Sequence, residues 1–325
     1  MEPANSASCW SSWRGSSPSR RQAILLGIDI GGTKVALRAE TADGQAHETT
    51  FTWPAARTPA ADLAALRTHV EAVTAGAGRT PTSVGVAVPA TVDGDGRVTA
   101  WPTRPHWTGL DLAAALRGVF PAAEVCWADD ADLAALAEAR AADCADLVYA
   151  GVGTGVGGGI VLEGRMLPGP RRGSCELGHV IVDRNGARCD CGRRGCVQAE
   201  ASGPATLRRA ATARGAQVTF EELRDGFAEG AAWAVGAVDA GCDALAAALV
   251  GVAELVRPTA LVVGGGFAMG IPGYVERVAA RTAGLARPGH PPAPVRPALL
   301  GGRSSLYGAV LAARDGLGGV GQRHR

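Results

Sequence analysis

The stretch Gly27-Ile28-Asp29-Ile30-Gly31-Gly32-Thr33-Lys34 decides how this chain is read. An apolar run over residues 23–30 carries an acid at its end, turns through two glycines and resumes over 35–38. That pattern predicts strand, tight turn, strand. With no Cβ in the way, the backbone N–H groups of such a turn can approach phosphate oxygens. Asp29 at the strand end can hold Mg²⁺ through water, because a hard cation favours carboxylate oxygen. A plain hairpin turn is the competing reading, and the octapeptide alone does not separate the two. Lys34 adds weight to the first, since it is the only lysine among 32 Lys plus Arg. In a composition so biased towards Arg, Ala and Gly, it points to a local need for a compact ammonium rather than a planar fork.

Working outward, the spacing of apolar residues predicts helices over 62–75, 111–119, 130–142, 231–256 and 306–313. Strands are predicted over 84–88, 147–151, 160–162 and 260–263. Strands and helices alternate at both ends, so the expected class is α/β in two lobes, 23–130 and 131–325. A chain of 325 residues is long enough for that. Residues 1–22, rich in Ser and Arg, read as a disordered tail rather than a targeting peptide. Hydrophobic residues make up 47%, charged residues 19%, and the net charge is +1. This balance gives no reason to expect nucleic acid or an anionic membrane as a partner. No apolar run is read as long enough to cross a bilayer, and a cytoplasmic protein is expected.

Two further glycine turns stand out. Residues 151–159 contain a G-x-G-x-x-G at Gly153, Gly155 and Gly158. A dinucleotide fold needs a helix directly after those glycines. Strand-like Ile160-Val161-Leu162 follows instead, which argues against it. Nor is there a P-loop frame around Lys34. The third turn, Gly264-Gly265-Gly266, suits close approach by a flat base or ribose. Spread along the chain with acids at strand ends, the turns suit a nucleotide held between lobes.

His179, Cys189, Cys191 and Cys196 give H-x₉-C-x-C-x₄-C, with Gly192 and Gly195 bending the chain between them. Clustering of this kind points to metal rather than a disulfide framework, and four soft or borderline ligands match a closed tetrahedral Zn²⁺ site. With every position filled by protein, the zinc is structural and organises the loop 175–200, including Glu176, Gln198 and Glu200.

At this point the motifs resemble a known family. Asp29-Ile-Gly-Gly-Thr-Lys34, Gly155-Val-Gly-Gly-Gly-Ile160, Glu176-Leu-Gly-His179 and Cys189-Asp-Cys-Gly-Arg-Arg-Gly-Cys196 look like the signatures of the ROK family (repressors, open reading frames and sugar kinases). The resemblance implies a two-lobed actin-like ATPase fold of the ribonuclease H-like type with a structural zinc loop, usually assembled as a homodimer. It implies ATP and Mg²⁺, and phosphorylation of a hydroxyl on a sugar or sugar-like cyclitol. By position, Asp130 matches the catalytic base, with Asp129 as the competing candidate. A carboxylate at a helix start can accept the proton of an attacking hydroxyl. Thr103, Glu176, His179 and Gln198 match positions facing the sugar. Asp29, Gly31, Gly32, Thr33, Lys34, Thr154, Gly155, Gly157 and Gly158 match the phosphate loops. Gly265 and Gly266 match the adenosine side. A repressor of this family carries a winged helix-turn-helix before the Asp-x-Gly-Gly-Thr turn, and the roughly 24 Ser-rich residues here show no helical period.

Two departures bear on the substrate. Pro102-Thr103 stands where hexose kinases of the family show Pro-Asn, and Cys196-Val197-Gln198 where they show Cys-x-Glu. An amide both donates and accepts, whereas a carboxylate only accepts. The expected substrate is therefore not plain glucose; a C7 cyclitol or an amino or N-acyl sugar is the candidate, with a glucokinase proper as the alternative. A non-catalytic sugar sensor is the rival reading, disfavoured because Asp130, Asp29 and Lys34 stand where transfer chemistry needs them.

Overall fold

A computed structural model of the chain describes residues 24–41, 43–75, 80–169 and 172–317. The segment 1–22, read above as a disordered tail, lies outside the described residues.

The chain begins with an antiparallel meander, β1 (Ile24–Ile30), β2 (Lys34–Thr41) and β3 (Ala46–Thr52). Helix α1 (Pro59–Ala75) crosses over to β4 (Ser83–Ala87), which lies parallel to β1. A small hairpin, β5 (Thr91–Val92) and β6 (Val98–Ala100), and helix α2 (Leu112–Val119) precede β7 (Glu124–Ala128), parallel to β4. The resulting order is β3-β2-β1-β4-β7. Ile24, Leu26, Ile28 and Ile30 are all essentially unexposed, as expected for a central strand covered by helices.

Helix α3 (Asp130–Ala141) leads into a second meander, β8 (Leu147–Val152), β9 (Val156–Leu162) and β10 (Arg165–Leu167). A helical block follows: α4 (Val197–Ala201), α5 (Gly203–Arg214), α6 (Phe220–Ala228) and α7 (Ala232–Val256). The chain then returns to β11 (Ala260–Gly264), passes α8 (Gly266–Met269) and α9 (Tyr274–Gly284), and adds β12 (Val295–Pro297). Helix α10 (Ser304–Asp315) closes it. The second order is β10-β9-β8-β11-β12, with β11 parallel to both β8 and β12. The two sheets thus share one plan. Each is a three-strand meander with two parallel strands added on the far side of its first strand.

One expectation about apolar runs is corrected. Helix α7 is long and apolar enough to span a bilayer by length and composition. In this fold it is a core helix, with Leu245, Leu249, Val238 and Cys242 fully buried against the second sheet and its neighbouring helices.

Helix α10 crosses the division expected at residue 130. It packs on β1 and β4 of the first sheet and on α3. Two glycines permit this approach: a Cβ on Gly85 would stand 2.0 Å from the Ala309 carbonyl oxygen, and one on Gly308 2.0 Å from that of Leu133. No side chain fits such gaps.

Candidate active site

The first glycine turn and the segment 153–155 are equivalent pieces of the two sheets. The former joins β1 to β2 and the latter β8 to β9, each being the first hairpin of its meander. The strand after the second turn is β9, so the helix a dinucleotide fold requires is absent there. In the first turn Gly31 N–H donates to the Lys34 carbonyl at 3.0 Å. Thr33 and Lys34 are exposed. In the second, Gly153 N–H donates to Gly155 at 2.9 Å, and Thr154 is exposed. The third turn abuts the second, because Gly265, at φ 88°, brings its Cα against the Val152 backbone, where a Cβ would lie 2.4 Å away. Gly266 opens α8.

Asp130 is the first residue of α3, and β9 lies against that helix start: a Cβ on Gly157 would meet the Ala131 methyl at 2.9 Å. The capping role belongs to Asp129, whose Oδ1 accepts from Ala131 N–H at 3.0 Å. Asp130 is therefore not needed as the cap. Burial raises the Asp130 carboxyl, and the neighbouring charges of Asp129 and Asp29 raise it further. Burial likewise raises Asp129, with Asp132 and Glu176 adding to it. Asp29 is raised by burial, against a hydrogen bond from Ser305 and the charge of Lys34 that favour ionisation. The influence of Asp29 on Asp130 sets the acid of the first turn and the acid of α3 in one electrostatic neighbourhood.

Glu176 lines a cavity of about 220 Å³ together with Asp129, Asp132, Trp127 and Arg172. Asp130 lies outside that lining. Burial pushes Asp132 up to about 7, opposed by the Cys175 N–H and reinforced by Glu176 and Asp130. Glu176 Oε1 accepts from the Ser174 hydroxyl at 2.6 Å, and its other oxygen is 3.9 Å from His179 Nε2. Gln198 is committed on one side, since its amide oxygen accepts from Val156 N–H at 3.2 Å and so ties α4 to the second turn. Thr103 is exposed and stands against the first turn; a Cβ on Gly32 would lie 2.3 Å from its hydroxyl oxygen.

The donor atoms of His179, Cys189, Cys191 and Cys196 all lie within 4.8 Å of one another. His179 Nδ1 is 3.7 Å from the Cys189 sulfur, and the Cys191 and Cys196 sulfurs are 3.6 Å apart. A tetrahedral zinc with bonds of about 2.3 Å to sulfur and 2.0 Å to nitrogen would require separations of about 3.5–3.8 Å. The cluster fits. Gly195, at φ 68°, approaches Asp183 so closely that a Cβ would overlap its carbonyl oxygen. The Arg193 N–H draws the exposed Cys191 thiol down to about 6, while burial pushes Cys196 up to about 12. A divalent cation among them would take both as thiolates. With Nδ1 turned to the sulfurs, Nε2 of His179 faces Glu176.

The sequence reading missed the residues behind the first turn, Trp53, Asp62 and Arg104, and the anchors Glu138 and Ser305. An arginine set between Trp101 and Trp107 was the available signal for the first group. Nothing local marked the others.

Comparisons with known proteins agree with this architecture. The chain is 54% identical over 288 residues to a kanosamine kinase of Amycolatopsis mediterranei (strain S699), covering 89% of this chain and 95% of that protein. It is similar in structure to a ROK hexokinase from Thermus thermophilus, with TM-score 0.80 and 30% identity over 90% of this chain and 98% of that one. A ROK family glucokinase from Streptomyces griseus, in complex with glucose and AMPPNP, gives TM-score 0.74 and 26% identity over 90% of this chain and all of that one. The mixed α/β fold is that of the ROK sugar kinases, an actin-like ATPase fold. A profile of the ROK family matches residues 25–315, and the chain belongs to that family.

Proposed function

We propose that this protein transfers the γ-phosphoryl group of ATP to a hydroxyl of a sugar or sugar-like cyclitol, with Asp130 as general base. The observation that carries the reading is the Asp130 carboxylate at the start of α3, left free of the capping role by Asp129 and raised by burial, by Asp129 and by the charge of Asp29 at the first glycine turn. Asp29 is the residue that would hold Mg²⁺, which on binding neutralises charge on the phosphates. The turns Gly31-Gly32-Thr33-Lys34 and Thr154-Gly155 with Gly157 and Gly158 would offer backbone N–H groups to the phosphates, and Gly265-Gly266 would receive the adenosine. Asp130 accepts the proton of the attacking hydroxyl. Its raised proton affinity brings it towards the neutral range, where a general base is most effective. Glu176 and His179 Nε2 would orient the acceptor, with Thr103 beside the first turn and the amide nitrogen of Gln198, without an acceptor among the described residues, completing the set. Zinc held by His179, Cys189, Cys191 and Cys196 would fix the ring of His179. The lobes 23–130 and 131–325, the latter lending α10 to the former, would close on the nucleotide to exclude water.

An amino sugar is the substrate class best supported. The 54% identical relative is a kanosamine kinase, and among the described residues the cavity beside Glu176 sets Asp129, Asp132 and Glu176 against one base, Arg172. A ring ammonium there would relieve the repulsion among those acids. A neutral C7 cyclitol is the second reading, supported by the departures at Thr103 and Gln198. We place the enzyme in the cytoplasm as a homodimer. A coupled assay over kanosamine, N-acetylmannosamine, valiolone-type cyclitols and glucose, with the phosphate position read by NMR, tests these points. Kanosamine is expected to exceed glucose at least 10-fold in kcat/KM. Glucose as best substrate overturns the substrate class, and no transfer to any polyol overturns the kinase reading.

A further inference from the structure

Behind the first glycine turn lies a buried charged network that the phosphoryl-transfer reading does not use. Asp62 in the first turn of α1 is completely buried, and Arg104 is 3% exposed. Asp62 Oδ2 accepts from Arg104 at 2.6 Å, from Trp107 Nε1 at 2.7 Å and from His106 Nε2 at 2.8 Å. The Arg104 guanidinium stacks on Trp53, 4.5 Å from its ring centroid. Both stacked partners then reach the same place. Arg104 donates through its other terminal nitrogen to the Gly32 carbonyl at 3.2 Å, and Trp53 Nε1 donates to the Gly31 carbonyl at 2.8 Å.

Two consecutive carbonyls are thus held from behind, by donors that are themselves locked. A peptide's C=O and N–H point in opposite directions, so holding the carbonyls of Gly31 and Gly32 turns the next N–H groups, those of Gly32 and Thr33, away from the network. Among the described residues neither N–H has a protein acceptor. Gly31 N–H, by contrast, is spent on Lys34. A pair of unspent, fixed N–H groups is what an anion site needs. We infer that Trp53 and Arg104, with Asp62 as the counter-charge that locks Arg104, are positioning residues that preset the first turn for the phosphates of ATP. This rests on the reading of that turn as a phosphate loop.

Removing Asp62 would leave Arg104 buried without its partner and threaten folding, so the test uses milder changes. Trp53→Phe keeps the ring and deletes its N–H. Arg104→Lys keeps the charge but cannot serve Asp62 and Gly32 with one planar fork. MgATP binding to the full chain is measured by calorimetry without sugar, alongside KM for each substrate and the melting temperature. The expected result is MgATP bound about 5-fold more weakly in each variant, the equivalent of one net hydrogen bond, with the sugar KM within 2-fold of the parent. Unchanged MgATP affinity in folded Trp53→Phe overturns the inference, as does an equal loss for both substrates. If the parent chain binds no MgATP, the phosphate-loop reading itself fails, which is a separate outcome.

Discussion

The Ser305 hydroxyl donates to Asp29 Oδ2 at 2.6 Å, joining the start of the last helix to the end of the first strand. Of the influences on Asp29 that favour its ionised form, this hydrogen bond is the largest, ahead of the charge of Lys34. Ser305→Ala should therefore leave Asp29 harder to ionise and a poorer cation ligand. The Mg²⁺ concentration for half-maximal activity should rise about 5-fold, as for loss of one hydrogen bond. A magnesium titration at fixed ATP checks this.

Asp130→Asn should lower kcat by about 10²–10⁴ while MgATP still binds. In the parent enzyme the carboxylate must be ionised to accept a proton, so kcat/KM should rise with pH. With Asp129 and Asp130 held up to about 7 and about 8, that rise should fall in the neutral range, where an unperturbed carboxylate would have finished near 5. A pH–rate profile that is flat from 5 to 9 would remove Asp130 from the role.

Stability of the ligand-free protein should move the other way. Asp132, up to about 7 in the fold, holds its proton where the unfolded chain has already lost it. Between about 4 and 7 the folded state binds more protons, so stability falls as pH rises through that window. Asp132→Asn should flatten the dependence, which melting temperatures across pH 4 to 8 would reveal.

Metal analysis should find one zinc per chain. Cys191→Ser, at an exposed ligand, should lose it and raise the sugar KM through His179, leaving MgATP affinity nearly unchanged. Full zinc retention in that variant, or none in the parent, contradicts the site.

Glu138 is 1% exposed and sits on the helix that carries Asp130. Its carboxylate accepts from Leu299 N–H, Leu300 N–H and the Ser304 hydroxyl at 2.7, 3.0 and 2.7 Å. Glu138→Ala strands three donors, of which the Ser304 hydroxyl is buried and the two N–H groups are part-buried, and should cost about 2 kcal/mol or more of stability. Chemical denaturation measures it.

Much of the candidate site could be proposed from the sequence because its parts are short-range. The turn after β1, the turn after β8 and the zinc loop each depend on glycine or cysteine spacing within some 20 residues, and periodicity marked most of the helices and strands around them. Gln198 was legible as a position but not as a contact, since its bond to Val156 N–H spans 42 residues. Trp53 and Arg104 lie 51 residues apart in sequence, and only the fold stacks them behind Gly31 and Gly32.

By itself the sequence determined the local chemistry of this protein: where backbone must turn without a Cβ, where a cation can find an acid, where four metal donors sit within one loop. Those follow from steric freedom and ligand type, which neighbours in the chain control. Only the tertiary structure decided that the two sheets repeat one strand order with a glycine turn in the first hairpin of each, and that α10 returns to the first sheet at Gly85 and to α3 at Gly308. Such relations are set by burial and close packing between segments far apart in sequence, where the chain leaves no periodic trace.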